Sequence, residues 1–186
     1  SAPVLTGLTI VPGSFSENGG IALLTGSVSN TSTTDTCYTL SYTGTALLGT
    51  DYSSEDDDAS SAGNQLCVAA GDSSGSVTLT GIDDSVFEGD ESLSVSSDAF
   101  TATATLSEDD SAPVLSGLMI APGSFGENGG IAVLTGSVSN TSTTDTCYTL
   151  NFDGAAILGT DYSSEDDDAG SAGVQLCVAA GDSSGS

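Results

Sequence analysis

Along much of the chain, small or apolar residues alternate with Ser or Thr. Val77-Thr78-Leu79-Thr80, Leu93-Ser94-Val95-Ser96 and Thr101-Ala102-Thr103-Ala104-Thr105-Leu106 show the pattern most clearly. A period of two is that of a strand with one face buried and the other in water. No stretch carries the competing helical stripe. The pattern predicts strands near residues 4–11, 21–28, 37–42, 65–69, 77–82, 91–97 and 100–106, divided by turns rich in Gly, Asn, Asp and Ser. Seven short strands in about 110 residues predict an all-β fold, an antiparallel sandwich. Five Tyr and five Phe in the whole chain make for a thin core, but a domain of that size still buries one.

The sequence repeats itself. Ser1-Ala2-Pro3-Val4-Leu5 returns as Ser111-Ala112-Pro113-Val114-Leu115, and residues 1–76 and 111–186 agree at 64 of 76 positions. Residues 1–110 therefore read as one complete repeat, and residues 111–186 as a second that abuts it without a linker. The second ends at Ser186, the counterpart of Ser76, and has no counterpart of residues 77–110, which carry the last three strands. Either the chain continues as a longer tandem array or a neighbouring subunit supplies the segment, as in strand-complemented fibres. Both predict that the partner is self, in head-to-tail repeats or a homopolymer.

Charge narrows the chemistry. Among 186 residues there are 26 Asp and Glu and no Lys, Arg or His, a formal net charge of −26. Side-chain salt bridges are impossible, and so is nucleic-acid binding or attachment to an anionic membrane through basic side chains. Without His there is no Ser-His or Cys-His dyad and no imidazole ligand, and without Lys no phosphate-binding lysine or Schiff base. An enzyme is not expected. A glycosidase built on two carboxylates needs them about 5–9.5 Å apart beside an aromatic sugar cleft, and the chain has no Trp. Metal cations are the partners this composition favours. Ser and Thr make up 55 residues, a surface suited to hydration or to glycans. No apolar run reaches the roughly 18 residues of a membrane span, and Ser1-Ala2-Pro3 does not start a signal peptide, so a mature, soluble chain is expected.

Four motifs occur in order: Glu17-Asn18-Gly19-Gly20, Gly49-Thr50-Asp51-Tyr52, residues 82–91 (IDDSVFEGDE), and residues 102–110 (ATATLSEDD). Together they resemble the Calx-beta domain, over the whole first repeat and all that is present of the second. The resemblance implies a seven-stranded immunoglobulin-like sandwich that often holds calcium at one end. In members that bind it the ligands are carboxylates, which here implies Glu17, Asp51, Asp83, Asp84, Glu88, Glu91, Glu108, Asp109 and Asp110. Ca²⁺ takes 6–8 hard oxygen ligands, and so many carboxylates at one domain end repel unless a cation joins them. Solvated turn acids are the alternative. Because Asp110 adjoins Ser111, such a site would lie at the repeat junction. The second repeat keeps Glu127 and Asp161 but ends before the other acids.

A further acidic run, Glu55-Asp56-Asp57-Asp58, recurs as Glu165-Asp166-Asp167-Asp168. It lacks the spacing of an EF-hand loop. A solvated loop is the favoured reading, with an extra cation site or a contact to another chain as alternatives.

Each repeat has two cysteines at equal separation, Cys37 with Cys67 and Cys147 with Cys177. Period-two reading turns Tyr38, Leu40, Tyr42, Leu66 and Val68 inward and both thiols outward. The resemblance makes the two strands neighbours in one sheet, which implies cross-strand disulfides Cys37–Cys67 and Cys147–Cys177; free thiols are the alternative, and no CxxC metal centre is present. Such bonds need an oxidising compartment. Asn30-Thr31-Ser32 and Asn140-Thr141-Ser142 are N-glycosylation sequons, and their Thr/Ser setting also suits O-linked sugar. The functional expectation is a structural subunit of an extracellular or cell-surface filament or adhesin stalk, rigidified by calcium and stabilised by disulfides. The alternative is a calcium-responsive binding or regulatory module, against which the near-identity of the repeats argues.

Overall fold

The computed structural model of the protein describes residues 1–57, 63–166 and 173–186. Among these the fold is all-β. Strands lie at β1 (Leu5–Val11), β2 (Ser14–Ser16), β3 (Ile21–Val28), β4 (Thr36–Thr39), β5 (Ser41–Gly44), β6 (Tyr52–Asp56), β7 (Gln65–Val68), β8 (Ser74–Gly81), β9 (Val86–Phe87), β10 (Glu91–Ser97) and β11 (Phe100–Ser107). The second repeat adds β12 (Leu115–Ala121), β13 (Val133–Val138), β14 (Thr141–Ser142), β15 (Thr146–Thr149), β16 (Gln175–Val178) and β17 (Ser184–Gly185). No helix long and apolar enough to cross a membrane is present among the described residues. Two compact units result: Ser1–Asp84 with Gly89–Asp109, and Ser85–Glu88 with Asp110–Ser186.

The first unit is a sandwich of two four-stranded sheets, ordered β1-β3-β8-β6 and β2-β11-β10-β5. All its pairings are antiparallel except β2 with β11, which run parallel. Its core draws on both sheets, with Leu8, Ile10, Leu24, Val77 and Leu79 on one side and Phe15, Leu93, Val95, Ala102, Ala104 and Leu106 on the other. Large residues face small ones across the β10–β11 ladder, Leu93 opposite Ala104 and Val95 opposite Ala102. That pairing lets the inner faces interdigitate at interior density. The Ser and Thr residues between them face outward, as the alternation requires.

Two differences from the sequence reading have a common cause. The strand expected at 37–42 is split: β4 pairs with β7, and β5 pairs with β10. At the switch, buried Leu40 donates its amide to the Asn64 carbonyl at 2.8 Å. Short strands β2 and β6 were not expected, because Ser-Phe-Ser and Tyr-Ser-Ser-Glu-Asp have almost no apolar alternation. Pairing with β11 and β8 makes them strands.

Tyr52, fully buried on β6, packs against Tyr42 with ring centroids 6.2 Å apart. Among the described residues its buried hydroxyl has no hydrogen-bond partner. Burial raises the Tyr52 pKa well above the ordinary tyrosine value, with Tyr42 and Asp51 adding to the shift. In the unfolded chain the phenol ionises near pH 10 while the folded one keeps its proton, so the unfolded state binds fewer protons above that pH. Stability is therefore complete below pH 10 and falls above it, by up to about 1.4 kcal/mol per pH unit for one such group. Tyr52→Phe is expected to raise stability at neutral pH by about 1–3 kcal/mol, since it removes an unsatisfied buried hydroxyl, and to shrink the alkaline loss. Urea titrations at pH 7 and pH 11 check this; a variant less stable than the parent at both values would contradict it.

In the second unit, β12, β13 and β17 form a three-stranded sheet, β15 pairs with β16, and β14 runs parallel to β9. Leu176 and Val178 are buried, but the sheet that carries Leu93, Val95 and Leu106 in the first repeat has no counterpart in this sequence. The consequence is visible at matching residues. Leu8, Ile10 and Phe15 are 9%, 8% and 5% exposed, whereas Leu118, Ile120 and Phe125 are 53%, 57% and 51% exposed.

Candidate metal centre

The acids gather where β2, β8 and β11 of the first unit end. Glu17 follows β2, and its amide donates to the Ser107 carbonyl at 3.1 Å, which ties the residue to the end of β11. A tight turn follows, with Gly19 donating to Glu17 O at 2.7 Å and Gly20 to Ser16 O at 2.9 Å. Gly81, at the end of β8, lies so close that a Cβ there would meet the Ser16 carbonyl at 2.3 Å and the Glu17 carbonyl at 2.6 Å. Only glycine lets the two chains approach in this way.

Glu17 is itself buried, at 5% exposure. One carboxylate oxygen from each of Glu17, Glu108 and Asp109 lies within 4.8 Å of the others, and Asp84 comes equally near Glu17. Hydrogen bonds hold these side chains in place. Asn18 Nδ2 donates to Asp109 Oδ2 at 2.9 Å, and the amides of Gly89 and Asp109 donate to the two Glu108 oxygens at 2.7 and 3.0 Å. Asp90 in turn accepts from the Glu108 amide at 3.1 Å. A hard oxygen donor set, one member buried, in a chain without a basic side chain fits an oxygen-loving divalent cation such as Ca²⁺.

The other acids singled out from the sequence are placed differently. Asp51, also buried, accepts the Leu47 amide at 2.6 Å and so closes its own loop. Glu91 comes within 4.8 Å of it. Asp83 is exposed just after β8. Glu88 and Asp110 belong to the second unit. There Asp161 closes its loop as Asp51 does, accepting from Ile157 N at 2.8 Å, and Glu127 lies in an exposed turn.

The second acidic run is not simply solvated. Asp56 accepts the Cys67 amide at 2.8 Å, and Asp57 accepts the hydroxyls of Ser76 and Thr78. Asp166 repeats the first bond, to Cys177 N at 2.9 Å. These bonds tie Asp56, Asp57 and Asp166 themselves to the neighbouring strands, a role that residue type alone did not reveal. Asp58, Asp167 and Asp168 lie outside the described residues.

Disulfides join Cys37 to Cys67 and Cys147 to Cys177, each across directly opposed positions of a two-stranded ladder. Cys37 is exposed, but Cys67 is buried, although it stands outside the core cluster that holds Leu66 and Val68. In the sequons, Asn30 Nδ2 donates to the Ser1 carbonyl at 3.1 Å, and Asn140 Nδ2 to the Ser111 carbonyl at 2.8 Å.

Fold and site together define an all-β sandwich protein with an acidic cluster at one end of its first sandwich. Among solved structures it is similar to CBD12 from CALX1.2, at 16% identity and a TM-score of 0.41, over 97% of this chain and 74% of that one. It is also similar to the calcium binding domain CBD12 of CALX1.1, at 17% identity and a TM-score of 0.41, over 95% and 72%. Domains 5-6 of the S-layer protein SbsC are a third, at 11% identity and a TM-score of 0.35, over 97% and 86%. No protein-family model and no curated protein matches the chain.

Proposed function

We propose that the chain is a structural segment of an extracellular or cell-surface assembly of tandem β-sandwich repeats, in which Ca²⁺ held by Glu17, Glu108 and Asp109 stiffens one end of a sandwich. The convergence of these three carboxylates with no basic side chain anywhere in the sequence carries the reading. Asp84 stands near enough to Glu17 to contribute a further oxygen. Bound calcium supplies charge neutralisation, and through it the ends of β2 and β11 are held together. One disulfide within each repeat supports an oxidising compartment. Near-identical repeats suit reach and durability rather than discrimination among ligands.

The test is a melt with excess EDTA and again with millimolar Ca²⁺. Stabilisation by RT ln(1 + [L]/Kd) amounts to about 2.7 kcal/mol at a hundredfold excess over Kd. The Ca²⁺-dependent rise in Tm is expected to vanish in Asp109→Asn. A parent protein whose melting ignores Ca²⁺ would end the calcium reading. Electron microscopy of native material tests the assembly: rods with a regular axial repeat are expected, and discrete monomers would oppose it.

A further inference from the structure

The turn that follows β2 holds a reactive dipeptide beside the acidic cluster. Asn18-Gly19 lies outside every ladder, in the tight turn closed by the Gly19 and Gly20 amides. Asn18 is exposed, so water reaches it. Gly19 has φ +68°, and a Cβ built there meets no atom within 4 Å. Nothing beside Gly19 crowds the approach of its amide nitrogen to the Asn18 side chain, and glycine itself brings no Cβ. Gly20 differs, since a Cβ there would strike the Ser16 backbone. The turn is thus anchored at one glycine and open at the other.

The chemistry available to this pair is intramolecular. The Gly19 amide nitrogen attacks Asn18 Cγ: the new C–N bond forms, the Cγ–Nδ2 bond breaks, and Nδ2 leaves as ammonia with the proton that the amide gives up. A cyclic imide remains, and water opens it. Cleavage between the nitrogen and Cγ restores the ordinary chain with aspartate at position 18, while cleavage at the Asn18 carbonyl carbon gives the isoaspartyl link. No oxidant, reductant or cofactor enters.

What the conversion changes is set by the neighbour. Asn18 Nδ2 donates to Asp109 Oδ2 at 2.9 Å, and Asp109 stands with Glu17 and Glu108 in the carboxylate cluster. As an amide, Asn18 gives Asp109 a hydrogen bond and eases the crowding of negative charge. As a carboxylate it sets a further anionic oxygen in the same place. Two oxygens bound to one Ca²⁺ at roughly 2.3–2.6 Å stand about 3 Å from each other. Nδ2 and Oδ2 already have that spacing. Without a cation the two oxygens repel.

We propose that Asn18 is a latent metal ligand: spontaneous deamidation at Asn18-Gly19 turns the donor that steadies Asp109 into a further carboxylate of the cluster. The aged protein then holds Ca²⁺ more tightly, and depends on it more, than the newly made one. The ligand role rests on the calcium reading given above, whereas the conversion itself does not.

The experiment ages the full chain at mildly alkaline pH in EDTA and maps its peptides by mass. Asn18 is expected to convert to the acid and its isoaspartyl isomer with loss of ammonia, while Asn30 and Asn64, followed by Thr and Gln, stay amides. In parallel, Asn18→Asp is expected to melt below the parent in EDTA and to bind Ca²⁺ about tenfold more tightly, because affinity rises with the charge of the ligand set. Asn18→Gln is expected to show no tightening. An Asn18 that remains an amide after weeks of incubation overturns the proposal. So does a parent that responds to Ca²⁺ beside an Asn18→Asp protein of unchanged affinity, a result that leaves the calcium reading intact. Conversion at Asn18 with no Ca²⁺ response in either protein sinks the calcium reading and the ligand role together.

Discussion

Phe15→Ala is expected to cost the first sandwich about 3–5 kcal/mol, while Phe125→Ala, the same change at the matching residue, is expected to alter stability by less than about 0.5 kcal/mol. Phe15 sits on β2, opposite Leu106 of β11, and is buried in the cluster that joins the two sheets. Truncation there removes a ring from a close-packed site and leaves a cavity that the sandwich cannot collapse. Phe125 likewise follows Pro-Gly-Ser but stands in water over half its surface, so its loss removes little burial. Denaturant titration read by hydrogen exchange on peptides from each repeat separates the two effects. Equal costs at the two positions would mean that the second unit is packed like the first, contrary to the structure.

Removing the Cys37–Cys67 bond is expected to cost about 3–4 kcal/mol. The two cysteines are 30 residues apart, and closing a loop of that length removes that much denatured-state entropy in the chain-entropy model. Among the described residues β4 and β7 pair only with each other, so the bond also holds together a two-stranded ladder that is marginal by itself. Cys37→Ala with Cys67→Ala, compared with the parent by urea titration, measures the cost. The second repeat lacks the sheet that backs the first, so once Cys147 and Cys177 are reduced the amides of β15 and β16 are expected to lose more protection than those of β4 and β7, although Leu176 and Val178 are buried. A reduced protein that keeps its midpoint and its protection would show that the ladders stand without their bonds.

Some of this was legible in residue types and spacing. Alternation in 93–96 and 101–106 placed β10 and β11 because each of those strands has one buried face, and burial writes its period into the sequence. The acids of the end motifs were legible as a set, since nothing in the chain can neutralise them from within. Which of them meet was not: Glu17 is 91 positions from Glu108 and 92 from Asp109, and they converge only because β2 runs parallel to β11. Asp51 carries the same charge, yet it closes a loop by accepting the Leu47 amide.

The two repeats separate local from tertiary causes, because one sequence is seen in two settings. Features carried within a turn or a single ladder recur in both. Tyr38 and Tyr148 each donate a hydroxyl to a proline carbonyl, at Pro3 and Pro113; Asp35 and Asp145 accept the amides of Ala70 and Ala180; both disulfides form. The sequence by itself determined these, since their partners lie within 35 residues and inside the shared stretch. Features that need the other sheet do not recur. Tyr52–Asp56 is strand β6, while the identical residues 162–166 form no strand. Ser14–Ser16 pairs with β11, while residues 124–126 pair with no strand among the described residues. A strand gains its hydrogen bonds and its buried face from a neighbour, so whether these segments become β-structure was decided by whether residues like 77–110 lie beside them.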